Sequence, residues 1–275
     1  FLVLAILLPS FSVASDTALI EFLDVGQGDA ILVTTPSGQH ILVDGGPDPL
    51  EAARLVGSAL PFWDRRIDLV VLTHPHADHV AGLTKLLRRY DVANILEREI
   101  ELDTAVYREW REAVSAEGAE VTQASSGQVV TTVDGVLLHV LGPPQTATCT
   151  TPSDLNDASV VLRLVYRDVS FLLAADMPSE TESVLLAGGA LVDSDVLKVS
   201  HHGSRSASSE EFLDAVTPAA AVISAGEGNR FGHPHPEVID ALRRRIPNGN
   251  LFVTSDSGDV EFVTDGRSLT VRTER

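Results

Sequence analysis

Apolar residues along this chain fall into short runs, and the breaks between them indicate which runs extend and which coil. Ala18–Leu23, Ala30–Thr34 and His40–Val43 are rich in Val, Ile and Leu and are separated by Gly, Pro and Ser, a pattern that predicts short strands. Glu51–Leu60 places its apolar residues at helical spacing. Ile67–Thr73 is an almost unbroken apolar run and predicts a buried strand. His79–Tyr90 carries an apolar stripe and ends on Arg88 and Arg89, cations suited to a helix C-terminus. Ile95–Leu96 predicts a short strand and Thr104–Glu117 a further helix.

The second half reads in the same way. Val129–Thr132, Val136–Leu141, Ser159–Tyr166 and Val169–Ala174 predict strands, the last two joined by a tight hairpin at Arg167-Asp168. A polar loop fills 142–157. Ser179–Ala187, Glu210–Val216 and Pro236–Arg244 predict helices, interleaved with strands at Val196–Val199 and Ala220–Ser224. Leu251–Thr254, Val260–Thr264 and Leu269–Arg272 predict closing strands. Strands followed by alternating helix and strand, occurring twice, predict an α/β protein in which two sheets stack face to face under outer helices. This αββα sandwich lets each sheet hide one face on the other.

Composition supports a folded domain, since 44% of the 275 residues are hydrophobic. The charge narrows the functions. With 39 acidic and 20 basic residues the formal net charge is -19. Such a surface repels polyanions and argues against tight nucleic-acid binding by the chain alone in dilute salt. Bound divalent cations or high salt would relieve that repulsion locally. Cys149 is the only cysteine, so no internal disulfide is available, and no chemistry is assigned to it. The run Phe1–Leu8 is too short to span a bilayer, which takes about 20 apolar residues. Pro9 and Ser12-Val13-Ala14 follow it as in a secretory signal. Residues 1–16 therefore read as a signal peptide or the stub of a transmembrane helix, and 17–275 as the domain itself. Both readings place the domain outside the cytoplasm or at a membrane.

The strongest chemical signal is Thr73-His74-Pro75-His76-Ala77-Asp78-His79. His74, His76, Asp78 and His79 follow a buried strand and precede a helix, so the chain turns where they stand. Imidazole and carboxylate are the usual donors to zinc and manganese. Chance clustering of polar residues on a surface loop is the bland alternative, in a chain with 9 histidines. His-x-His-x-Asp-His after a strand resembles the signature of the metallo-β-lactamase superfamily. Further stretches share the order of the hydrolase domain of ComEC-type competence DNA-uptake proteins. They are Phe22-Leu23-Asp24-Val25-Gly26-Gln27-Gly28-Asp29-Ala30, Leu42-Val43-Asp44-Gly45-Gly46, His201-His202-Gly203-Ser204 and Gly232-His233-Pro234-His235-Pro236. The resemblance runs from about Leu19 to the C-terminus.

That resemblance implies a two-metal hydrolase and roles for particular residues. Asp44 matches the acidic residue that braces the histidine loop, with a turn Asp before Gly45-Gly46 as the simpler reading. Asp176 matches the aspartate shared by two metals. Ala175 stands where the family usually has Gly, and helix capping is an alternative role for Asp176. One of His201 and His202 would be the last ligand; His202 is favoured and the other would face substrate. The third histidine usual for the first metal is missing, since none lies between His139 and His201. Asn156-Asp157-Ala158-Ser159 occupies its place and implies an oxygen-rich shell. The metals implied are two divalent ions, zinc or manganese.

Around them, Asp29 and Gln27 sit in a Gly-rich turn that would face the histidine loop. His233 and His235 lie among prolines before a helix start, suited to meeting a phosphate or donating a proton, or else to plain turn rigidity. Asp78, Asp176 and His235 are the candidate catalytic residues, and Ser204, Arg205, His233 and Asn156 the candidate substrate contacts. The implied activity is a phosphodiesterase or nuclease acting on weakly bound DNA outside the cytoplasm, beside a possible membrane-embedded partner domain. A hydrolase of another ester, lactone or β-lactam and a non-catalytic metal-binding module are the alternatives. No stable protein partner can be inferred.

Overall fold

A computed structural model describes residues 16–143 and 155–275. The apolar N-terminal run and Cys149 lie outside the described residues. The first sheet begins with a meander of β1 (Ala18–Phe22), β2 (Ile31–Thr34) and β3 (His40–Val43). Three parallel additions follow: α1 (Pro49–Ala59) to β4 (Arg66–Leu72), α2 (Ala77–Leu86) to β5 (Asp91–Glu97), and α3 (Ala105–Glu117) to β6 (Glu120–Gln123).

The second sheet opens with β7 (Val129–Thr131), β8 (Leu137–Val140), β9 (Leu162–Tyr166) and β10 (Val169–Leu173), paired antiparallel. It continues in parallel through α4 (Ser179–Ala187), β11 (Val196–Lys198), α5 (Glu210–Val216), β12 (Ala220–Ile223), α6 (Pro236–Arg243) and β13 (Leu251–Val253). After a single turn, α7 (Thr254–Ser257), the chain returns to the first sheet as β14 (Val260–Thr264) and β15 (Leu269–Thr273). The orders are β15-β14-β1-β2-β3-β4-β5-β6 and β13-β12-β11-β10-β9-β8-β7.

The pleat explains the layers. Successive side chains of a strand point to opposite faces. Ile41, Val43, Leu69 and Val71 therefore enter the inter-sheet core with Phe171, Val196, Val222 and Phe262. Leu42 and Val70 face out onto Val56, Leu83 and Trp110 of the helices. On the other sheet Leu172, Leu197 and Ala221 pack on Phe212, Leu213 and Leu242. Strands buried on both faces read as continuous apolar runs, which is why β4 was legible. The result is the αββα sandwich expected from the sequence.

Several elements differ from the sequence reading, among them the short helix α7, which was not foreseen. The exposed strand β6 was not foreseen, because its polar residues give no alternation, yet its backbone completes the sheet edge against β5. The strand at Ile95–Leu96 extends over all of Asp91–Glu97. The α2 helix stops at Leu86 rather than Tyr90.

Parallel strands align their C-terminal ends, and ligands of open α/β sheets gather there. In this fold that edge carries Asp44 after β3, Thr73 and His74 after β4, Asp176 after β10, His202 after β11 and Ser224 after β12.

Candidate metal centre

The histidine loop is held by its neighbours before it does any chemistry. The α2 helix starts at Ala77, so Asp78 and His79 occupy its first turn, where a carboxylate suits the helix dipole. That turn is pinned to the loop after β3: Gly45 N donates to His79 O at 2.8 Å and Gly82 N to Gly46 O at 3.0 Å. A Cβ on Gly82 would lie 1.8 Å from Gly45 O, so only glycine allows this approach.

Asp44 is fully buried at a φ of 58°. Its Oδ1 accepts from Thr73 N at 2.8 Å, and its Oδ2 from Thr73 Oγ1 at 2.6 Å. His79 Nδ1 donates to the same Oδ2 at 2.8 Å. Thr73 Oγ1 also lies 3.1 Å from His74 Nδ1; having given its proton to Asp44, it accepts there. On the other sheet His202 Nδ1 donates to Ser224 O at 2.9 Å. Each outer partner thus accepts a hydrogen bond from Nδ1–H, so that in the neutral form of His74, His79 and His202 the lone pair is on Nε2, the tautomer a metal requires.

Those lone pairs converge on one oxygen. Asp176 Oδ2 is 3.4 Å from His79 Nε2, 3.4 Å from His202 Nε2 and 3.8 Å from His74 Nε2. Asp78 Oδ2 lies 3.6 Å from His202 Nε2. His76 turns Nδ1 to within 2.9 Å of His74 Nε2. His79 Nε2, His202 Nε2 and Asp176 Oδ1 are buried with no hydrogen-bond partner. Orphaned polar atoms facing one another at such density suit cation binding. Among the described residues four overlapping sets of side chains could hold a divalent ion: His74, His79 and Asp176; Asp78, His79 and His202; and two that bring in Asp29, with Asp44 and His79 or with Asp176 and His202. Asp176 does not cap α4, whose N-cap is Pro178. Ala175, at the position the family gives to Gly, adopts a φ of 49°.

His201 is more exposed than His202. Its Nε2 is 3.9 Å from Asp176 Oδ2 and its Nδ1 3.4 Å from Ser206 Oγ. Both histidines take positive φ on a tight turn, 47° and 55°. Asn156 and Ser159 lie on the segment whose Val160 N donates to Thr73 O at 2.9 Å, directly beside the histidine loop. Asn156 Oδ1 and Ser159 Oγ are buried without partners, two oxygens in the region where the expected histidine is missing. His139 lies in β8 opposite Arg163, away from the strand ends that carry the cluster.

The His233 ring lies 6.4 Å from that of His202 and 4.9 Å from that of His235. Arg205 N donates to His235 Nδ1 at 3.2 Å, so the proton of a neutral His235 sits on Nε2. Ser204 is buried and bonds Ser206 Oγ at 2.9 Å, so it serves the turn.

Sequence reasoning missed Lys198. It is fully buried, pairs with Asp29 Oδ2 and donates to Ala175 O at 3.3 Å. Asp29 in turn approaches His202 Nδ1 with its other oxygen at 3.5 Å and receives nothing else there. The signal was present: Lys198 is one of only two lysines and interrupts an apolar strand.

Burial alone would lower the pKa of His202, but the Asp176 carboxylate, then Asp29 and Asp78, raise it to about 9. Burial likewise opposes the charge on His79, and Asp176 and Asp44 overcome it and raise that pKa well above the usual range. Without a cation, protons thus sit where a metal would. A divalent ion must displace them. Apparent metal affinity is therefore expected to rise as pH rises toward 9, by roughly tenfold per pH unit for each proton released. Titration calorimetry with manganese across pH 6–9, in buffers of different ionisation enthalpy, measures both affinity and proton release. A pH-independent affinity with no proton release would contradict this assignment of the imidazoles.

The fold, with this cluster at the strand ends, defines a class. The family model of the metallo-beta-lactamase superfamily matches residues 23–227, and the chain belongs to that superfamily. Within it, the chain is 30% identical to competence protein ComA of Neisseria gonorrhoeae, over 91% of this chain and 33% of that protein. It is 27% identical to ComE operon protein 3 of Bacillus subtilis, over 88% of this chain and 32% of that protein. The chain spans about a third of the length of these curated relatives. Among solved structures, the metallo-beta-lactamase fold protein YhfI from Bacillus subtilis shares the fold with a TM-score of 0.58 at 11% identity, covering 90% of this chain and 99% of that one. The family and fold are those of metal-dependent hydrolases, with competence proteins among the relatives. Among the described residues, no helix is long and apolar enough to cross a membrane.

Proposed function

We propose that this domain is a metal-dependent phosphodiesterase that cleaves DNA outside the cytoplasm. The observation that carries the metal chemistry is the single Asp176 oxygen within 3.4 Å of both His79 Nε2 and His202 Nε2. His74, His76 and Asp176 would hold one ion, with the partnerless oxygens of Asn156 and Ser159 beside them. Asp78, His79, His202 and Asp176 would hold the other. This mixed nitrogen and oxygen donor set suits manganese as well as zinc. When bound, such a pair supplies Lewis-acid polarisation of the phosphoryl group and charge stabilisation on both sides of an in-line displacement.

The protein's own groups do the rest. Asp44 and Ser224 O keep the imidazoles oriented. His235, whose Nδ1 accepts from Arg205 N, presents its Nε2–H as a hydrogen-bond donor to a leaving oxygen. Arg205, beside it and without a carboxylate partner among the described residues, offers its guanidinium to a phosphate oxygen. The choice of DNA over an acyl substrate is supported by the competence proteins among the relatives.

The test is manganese- and zinc-dependent cleavage of single-stranded DNA, run beside a β-lactam and a lactone. Metal-dependent DNA cleavage is the expected result. His235→Ala is expected to slow it about 10²- to 10³-fold, the usual cost of removing one hydrogen-bond donor to developing charge, with metal content unchanged. Turnover of the lactone or β-lactam alone would overturn the reading. Loss of metal in His235→Ala would make that residue a ligand.

A further inference from the structure

Outward from the metal cluster runs a series of near-parallel rings. His202 faces His233 at 6.4 Å and 30°, and His233 faces Phe231 at 5.6 Å and 24°. Phe231 ends the series and is 49% exposed. The other strongly exposed aromatics, Phe62 and Trp63, precede the N-terminal end of β4, at the opposite edge of the sheet. Phe231 is therefore the exposed aromatic beside the site among the described residues.

The loop that presents Phe231 is fixed by Asn229. Its Oδ1 accepts from Phe231 N at 3.1 Å and from His233 N at 3.0 Å, while its Nδ2 donates to His233 O at 2.5 Å and to Gly226 O at 2.9 Å. A large apolar ring in water is held rigidly, although the inter-sheet core and helices already bury the apolar residues the fold requires. The Arg230 guanidinium lies 4.8 Å from the Phe231 ring centre and makes no ion pair among the described residues. In a chain of net charge -19, an Arg without an ion pair among the described residues, beside an exposed ring at the metal edge, is a marked local exception.

We propose that Phe231, with Arg230, is a stacking platform for the nucleobase next to the scissile phosphate. This rests on the phosphodiester reading and adds to it that the substrate is single-stranded, since a base must leave its own stack to reach the ring. Aromatic rings bind bases of any sequence because every base has a π-face, and guanidinium groups stack on the same faces. Such a platform supplies sequence-tolerant affinity where the chain's own charge opposes the backbone.

The test uses single-stranded oligonucleotides carrying 2-aminopurine, bound in calcium so that turnover does not intervene, and matched strands with an abasic site in its place. Wild-type protein is expected to quench 2-aminopurine and to prefer the base-bearing strand by roughly 5- to 150-fold, the range a stacked base supports. In Phe231→Ala the preference should fall close to one and the quenching should vanish, while Phe231→Trp should restore both. Circular dichroism checks that the variants remain folded. Equal affinities for both strands in wild-type protein, or a preference unchanged in Phe231→Ala, would overturn the platform. Manganese-dependent cleavage is read separately. Cleavage without Phe231-dependent quenching would sink the platform alone. Quenching without cleavage would support the platform and sink the hydrolase reading.

Discussion

Asp176→Asn is expected to abolish hydrolysis, by at least about 10³-fold, and to strip metal from the protein while leaving it folded. One well-placed charge-stabilising group is typically worth roughly 10²- to 10³-fold in rate. Asp176 Oδ2 stands against His74, His79 and His202 together, so its loss reaches both candidate metal positions. Asn has nearly the same shape, so packing after β10 is kept. What changes is charge, and an amide nitrogen turned inward would face the imidazole lone pairs as a donor. The same substitution removes the carboxylate that most raises His202 and His79, so both should titrate at lower pH in the metal-free protein. Metal analysis, circular dichroism and rate measurement on one preparation decide the matter. Full metal content with full activity would remove Asp176 from the centre, and an unfolded variant would give it a structural role instead.

Lys198→Met is expected to destabilise the fold strongly. Met keeps the length of the chain in β11 and removes the charge. Asp29 would then be a buried carboxylate without its cation, in a cluster that already holds Asp44 and Asp176. Leaving one member of a buried pair unpaired costs about 3–5 kcal/mol. For a chain of this size that lowers the melting temperature by roughly 10 °C. The pair itself contributes less than its breakage costs, because both charges are desolvated on folding. The double variant Lys198→Met/Asp29→Asn should therefore recover much of the loss. Thermal unfolding of the metal-free protein checks this. A single variant as stable as the parent would show that the fold does not need the Lys198 charge beside Asp29. A double variant no better than the single would place the cost in packing or in the lost bond to Ala175 O.

Much of this molecule follows from local pattern. The strands and helices of both halves were legible because burial on two faces writes continuous apolar runs, and burial on one face of a helix writes a stripe. His74, His76, Asp78 and His79 were legible because they are contiguous, and one strand-to-helix turn brings them together. Asp176 and His202 carry no such local mark; resemblance pointed to them, and the folded geometry shows them facing the histidine loop.

Only the tertiary structure decided the remainder, because its partners lie far apart in the chain. The return of β14 and β15 to the first sheet rests on pairing such as Ile20 with Phe262. The polar strand β6 exists because β5 offered an unpaired edge. Gln27 meets Gly226 across 199 positions. Lys198 meets Asp29 only where the two sheets close on each other. The sequence by itself determined which residues could bind metal and that their strands would be buried. Which nitrogen of each imidazole faces inward, and which carboxylate they share, depended on Asp44 and Ser224, partners that hydrogen bonding selects only once both sheets are packed.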